Sequence, residues 1–274
     1  INSGNIAHLK KKVIFKYKPI IIFLAILILF VSLPASKKYE EIVFDESHGN
    51  WASVNNNFNE ESFGRNYFYS YSILREFVER KYETKFFKKE KEIVLNKKKS
   101  LLIIKMPIKQ LSKSYIERVS EWVSNGGHLL VISDHTNLYN STFYLNELLN
   151  RFGILISETA VFDKNGQPNR YTNSLTSFLF PSADSNIENM EWLTGSSLKT
   201  FPANFIPLGT YNLSYSEDGD YSNPNRFGKF QPQLSLPLIN HISFGKTNYK
   251  KGKVYILLDS TPWSNFSLSK EMYK

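Results

Sequence analysis

Three apolar runs in this chain end in an acidic residue followed by small polar or aromatic groups. Ile42-Val43-Phe44 leads into Asp45, with His48 three residues on and Trp51 just beyond. Leu129 to Ile132 leads into Asp134, His135 and Asn137, and Val254 to Leu258 into Asp259 and Ser260. The carboxyl ends of parallel strands are where α/β sheets bind ligands, so these eight residues are the candidate ligand-binding set at one rim. An imidazole titrates near neutral pH, so His48 beside Asp45 offers ligand binding or acid–base work. The same pair also fits a capped turn, with Asp45 bonding backbone amides, and the residues alone leave both readings open. Asp134 and His135 are adjacent on an extended run, which aims only one of them at the rim. For Asp259 and Ser260 the cap reading is the stronger.

The chemistry these residues support is limited by what surrounds them. His48, His135, Asp134 and Asp259 are ligand types that suit Zn, Mn or Fe. No HExxH or similarly tight spacing organises them, so no metal and no cofactor is assigned. Ser47 and Ser260 are nucleophile types, but neither lies in a G-x-S-x-G elbow, and no catalytic residue is assigned. Trp51 and Trp263 fit stacking on a sugar ring and equally fit a core. Gly126-Gly127 lies at a helix carboxyl end, where the dipole is negative, and reads as a cap and not as a phosphate cradle.

The elements that must position this rim follow from periodicity. Short unbroken apolar runs at Ile42 to Phe44, Leu101 to Ile104, Leu129 to Ile132 and Val254 to Leu258 read as buried parallel strands, with Tyr82 to Phe87 as a further strand. Tyr67, Tyr71, Leu74 and Val78 recur at helical spacing and predict a helix over 66–80. Ser114-Tyr115-Ile116-Glu117 has the capping-box pattern and opens a helix over 114–124, which Asn125-Gly126-Gly127 stops. A short helix is predicted over 144–152. Strands alternating with helices predict an α/β fold with a parallel-rich sheet. From about 157 to 250 Pro and Gly recur and helices are scarce, which reads as an insertion of antiparallel strands and loops.

The 274 residues carry a formal charge of +9 and no cysteine. The missing cysteine excludes disulfides, thiolate metal ligands and a cysteine nucleophile. Residues 1–18 hold five lysines and no acid, so +4 of the +9 remains for the rest. That is too diffuse for the concentrated basic face of a nucleic-acid binder. Lys88-Lys89 with Lys91, and Lys97-Lys98-Lys99, read as a solvated edge. Residues 19–36 are uncharged and, as a helix, span about 27 Å, close to the thickness of a bilayer core. Cleavage after Ala35 or Ser36 puts Leu33 or Pro34 at the −3 position, which argues for an uncleaved signal anchor over a signal peptide. The lysines before the span place residues 1–18 in the cytoplasm and residues 37–274 outside it, as a periplasmic or surface domain of a single-pass membrane protein.

The run Leu101-Leu102-Ile103-Ile104, the helix that follows and Asn125-Gly126-Gly127-His128-Leu129-Leu130-Val131-Ile132 together resemble the class I glutamine amidotransferase-like superfamily, in its non-catalytic branches. Phe44-Asp45-Glu46-Ser47-His48-Gly49, Ser133-Asp134-His135-Thr136-Asn137 and Tyr249 to Ser260 are similar to the bacterial domain of unknown function DUF4350. The likeness covers 42–155 and 245–266 and leaves the insertion uncovered. It implies a flavodoxin-like, doubly wound parallel sheet carrying the antiparallel insertion. It does not imply the amidotransferase reaction, which needs the cysteine this chain lacks. The resulting expectation is a membrane-anchored, extracytoplasmic binding module without enzymatic activity. Its partners would be a small ligand, a glycan or proteins of an envelope or transport assembly, and not nucleic acid. The competing expectation is an extracytoplasmic hydrolase, metal-assisted or His-dependent, acting on an envelope sugar or ester.

Overall fold

The computed structural model describes residues 39–49, 53–55, 69–95, 99–163, 195–211, 213–218 and 237–272. The chain divides into two units, 1–37 and 38–274, and every described residue lies in the second. The predicted membrane segment 19–36 and Trp51 lie outside the described residues. Among the described residues no helix is long and apolar enough to cross a membrane.

Unbroken apolar runs produce central strands buried on both faces. Strands β1 (Glu41–Asp45), β2 (Glu83–Phe87), β3 (Ser100–Lys105), β4 (His128–Ile132), β8 (Ile206–Thr210), β10 (Ile242–Tyr249) and β11 (Gly252–Leu257) form one seven-stranded sheet in the order β2-β1-β3-β4-β11-β10-β8. The pairs from β2 through β11 are parallel, and β10 and β8 extend the sheet antiparallel. Ile42, Phe44, Leu101, Ile103, Leu130, Ile132, Tyr255 and Leu257 join one core with α1 (Ser72–Glu79). Val43, Leu102, Ile104, Leu129, Val131, Val254 and Ile256 join the other with α2 (Lys113–Ser124) and α3 (Ser141–Leu149). The alternation is what strands covered by helices on both faces require. From β1 the order leads to β2 on one side and to β3 and β4 on the other. The carboxyl ends of β1 and β3 therefore flank the point where the winding reverses.

The structure adjusts several predicted elements. Of the helix expected over 66–80, residues 66–68 lie outside the described residues; the described part is helical over Ser72–Glu79, where the amide of Ile73 is satisfied by Oδ1 of Asn265 at 3.0 Å. Asn265 opens α4 (Asn265–Met272), far along the chain. The second helix is capped by Ser112, whose Oγ accepts from the Tyr115 amide at 3.1 Å, and not by Ser114. Its end is as expected: Gly127 lies so close to the Trp122 ring that a Cβ there would be 2.2 Å from it. The third helix starts three residues earlier than predicted, at Ser141. Within 157–250, β6 (Thr159–Asp163) pairs with β9 (Ser214–Asp218), and β7 (Leu198–Thr200) pairs with β5 (Leu155–Ile156) just before that stretch, all antiparallel. Strands β8 and β10 of the same stretch belong instead to the main sheet.

Candidate functional site

The carboxyl ends of β1, β3, β4 and β11 lie side by side along one edge, and the polar residues that follow them sort by strand parity onto the two faces of the sheet. Asp45 follows Val43 and meets the α2 face. Its Oδ2 contacts His48 Nδ1 at 2.6 Å and accepts from the Tyr115 hydroxyl at 2.8 Å. Its Oδ1 accepts from the Ser47 amide at 2.8 Å and the Ser47 hydroxyl at 2.6 Å. The other ring nitrogen of His48 meets Glu90 Oε2 at 2.9 Å. Glu90 sits in a single 3-10 turn, Glu90–Glu92, after β2. It also accepts from the hydroxyl of Ser112 at the cap of α2, and its carbonyl accepts from Arg118 at 2.9 Å. One imidazole thus ties the β1 turn, the turn after β2 and the start of α2 together. The His48 and Tyr115 rings pack 4.9 Å apart.

This geometry sets the charges. Burial is the largest influence on Asp45 and would raise its carboxyl; the hydrogen bond and charge of His48, with Ser47 and Tyr115, outweigh it and hold the group below its ordinary value. Burial likewise depresses His48, but Asp45 and then Glu90 outweigh it and raise the imidazole. Burial would raise Glu90 too, yet Ser112 and His48 bring it down. Tyr115 is pushed well up, first by burial and then by Asp45, so it stays a neutral donor. With a carboxylate on each nitrogen, both His48 ring nitrogens are engaged within the fold, and neither is turned to a substrate or a metal.

Glu46 follows Phe44, and Lys105 follows Ile103, so both turn to the opposite face. Lys105 Nζ is ion-paired with Glu46 Oε1, and the two side chains are 1% and 4% exposed. Glu46 also accepts from the Ser53 hydroxyl at 2.7 Å. The pair fills the place between β1 and β3 where the winding reverses. Sequence reasoning passed over both residues, although period-two alternation, Ile42-Phe44-Glu46 and Leu101-Ile103-Lys105, puts them on one buried face.

Asp134, on that same face, accepts from the Ser260 hydroxyl at 2.5 Å and from the His135 amide at 2.7 Å. The Tyr71 hydroxyl donates to the Ser260 carbonyl at 2.5 Å. Burial first, then Asp134, raises the half-buried Tyr69, and burial, Asp134 and Asp259 raise Tyr71. Tyr69 stacks on Phe266, with ring centres 6.0 Å apart. His135 Nδ1 contacts the Thr136 hydroxyl at 2.7 Å. Asp259 accepts from the Thr261 amide at 2.8 Å, the capping role expected of it. Asn137 accepts from the Phe143 amide at 3.1 Å, bracing the start of α3. Gly195 lies against Tyr211, whose hydroxyl would be 1.7 Å from a Cβ placed there. The loop after β4 is strained: Thr136, Asn137, Tyr139 and Asn140 all have φ between 49° and 63°, and Met106 after β3 has φ 41°. Such conformations cost about 1–3 kcal/mol each and concentrate where a loop is held for use.

The predicted rim set therefore shares an edge but divides into two groups. Asp45 and His48 are bound into the α2-side clamp, while Asp134, His135, Asp259 and Ser260 lie with Tyr71 on the other side. Among the described residues no cluster of His, Asp and Glu is arranged to hold a metal ion.

The family model described as domain of unknown function DUF4350 matches residues 72–272. The chain belongs to that family. No curated protein matches it in sequence. Among solved structures, it resembles the mmIFT52 N-terminal domain at 15% identity and TM-score 0.50, over 84% of this chain and 90% of that one. It also resembles the exo-beta-1,4-mannosidase Op5Man5 from Opitutaceae bacterium strain TAV5 at 13% identity and TM-score 0.45, over 87% of this chain and 34% of that one. The cytoplasmic protein STM1381 from Salmonella typhimurium LT2 matches at 12% identity and TM-score 0.44, over 80% of this chain and 87% of that one. At these identities the likeness concerns the fold alone, and only the first is close enough to bear on it.

Proposed function

We propose that this DUF4350 chain is a membrane-anchored, extracytoplasmic binding module without catalytic activity, built on a flavodoxin-like fold of the amidotransferase-like kind. The parallel order β2-β1-β3-β4-β11 supports the fold reading. The observation that carries the functional reading is the engagement of both His48 ring nitrogens by carboxylates, at 2.6 and 2.9 Å. An imidazole so held fixes the rim and takes no proton from a substrate. The binding edge is then the Asp134–Ser260 side, where a carboxylate, a hydroxyl and the Tyr69–Phe266 ring pair suit a hydroxyl-rich ligand such as a glycan. The hydrolase alternative retains one observation, Ser47 Oγ at 3.0 Å from His48 Nδ1, although Asp45 shares that nitrogen.

Titration of residues 38–274 with short N-acetylglucosamine oligosaccharides, followed by calorimetry, separates the two readings. The binding module predicts saturable heat that falls at least tenfold in affinity in Asp134→Asn, with the sugar recovered intact. Cleaved sugar, or hydrolysis of p-nitrophenyl acetate that disappears in His48→Ala, would favour the hydrolase. No saturable heat would sink the glycan assignment.

A further inference from the structure

The strongest feature left unused by the rim is a basic corner at the outer edge of the sheet. Strand β2 is outermost, and the turn that follows it meets the start of α2 through Glu90 and Ser112. Lys88, Lys89, Lys91, Lys109, Lys113 and Arg118 are all exposed around this contact. Two hydrogen bonds help hold them together: Arg118 bonds the Glu90 carbonyl, and the Lys109 amide bonds the His48 carbonyl at 3.1 Å. Three carboxylates share the corner. Glu90 lies at its centre, but its two oxygens turn to Ser112 and His48. Glu92 stands 3.5 Å from Lys89, and Glu117 lies one turn along α2 from Lys113. The clamp thus draws the central acid inward and leaves an excess of positive charge facing out. Close in the chain to Lys91, Val94 is 50% exposed, and on the same edge strand Phe86, which pairs with Phe44 and so turns to the α1 face, is 42% exposed.

We propose that this corner docks the domain onto an anionic lipid bilayer. Lysines alone would serve any polyanion; lysines flanked by exposed apolar side chains match a surface that offers both phosphate headgroups and an apolar layer beneath them. The setting, though not the surface, rests on the membrane-anchored reading above.

The test is sedimentation of residues 38–274, a compact unit of their own, with vesicles of phosphatidylcholine containing phosphatidylglycerol or lacking it. Each basic residue close to an anionic surface contributes about a fivefold factor in partitioning, so Lys88→Gln/Lys89→Gln/Lys91→Gln is expected to weaken binding about a hundredfold. The thermal midpoint should not move, since all three side chains are exposed. Raising the salt should weaken wild-type binding, and Phe86→Ser should weaken it without altering that salt dependence. Equal binding to vesicles of both compositions, an unaffected triple variant, or binding to inorganic polyphosphate but to no vesicle would overturn the proposal. The fragment lacks residues 19–36, so these outcomes do not depend on the anchor. A full chain recovered in the soluble fraction of cells would instead refute the anchor and leave the docking surface standing.

Discussion

Replacing His48 with alanine is expected to cost about 3–5 kcal/mol of folding stability near pH 6, the range for removing one partner of a buried ion pair. Asp45 is 3% exposed and would keep only Ser47 and Tyr115, so its charge would lose its counter-ion inside the fold. Urea unfolding of residues 38–274 measures the loss directly. The pH dependence carries a second signature. The raised His48 contributes stability that is full below its unfolded value of about 6.5 and is lost as pH climbs through its higher folded value. The lowered Asp45 and Glu90 contribute stability that is full above their unfolded values of about 4 and is lost as pH falls through their depressed folded values. The clamp therefore stabilises the fold most between about pH 4.5 and 6.5. In His48→Ala the decline above that window should flatten. A variant as stable as wild type, with the same pH profile, would show that the clamp holds nothing.

The second large effect is expected at Lys105. Lys105→Met leaves Glu46 buried without its cation and should cost about 3–5 kcal/mol. The double variant Glu46→Leu/Lys105→Met removes both charges together and should return to within about 1 kcal/mol of wild type or exceed it. Ser53 would then lose its acceptor at 2.7 Å, which sets a small residual cost. Recovery in the double variant would mean that the pair fills the β1–β3 reversal point as a matched plug. If the single variant were neutral, or the double no better than the single, the ion pair would not be what closes this place.

Much of this architecture was legible because the strands are buried on both faces and their apolar runs are unbroken. Val43, Leu102, Leu129 and Val254 on one face and Phe44, Ile103, Leu130 and Tyr255 on the other follow from alternation alone. The rim was legible for the same reason, since its residues come immediately after those runs. Sequence could not supply the contacts that cross long stretches of chain. Glu90 reaches His48 from 42 residues away, in a Lys-rich turn that reads as simple solvated surface. Asn265 caps α1 from 192 residues away. Ser112 outcompetes Ser114 as the cap of α2 because Glu90 is there to accept its hydroxyl. Strand β10 was hidden in a polar stretch: Lys246, Thr247 and Asn248 interrupt its apolar run, and its pairing with β8 shifts register twice. Parity was the available signal left unread. It separates Asp45 from Asp134 by face, and it marks Glu46 and Lys105 as a buried pair.

The central claim is that His48 is a fixed imidazolium between two carboxylates, a brace for the rim and not a base within it. Nitrogen-detected NMR of residues 38–274 labelled at histidine tests this most directly, following both ring nitrogens of His48 from acid to alkaline pH. The account predicts that both remain protonated at pH 6.5, with a titration midpoint above the ordinary value of about 6.5, and that Glu90→Gln lowers that midpoint. A single neutral tautomer at pH 6, with Nε2 unprotonated and open, would contradict it and return His48 to the catalytic candidates.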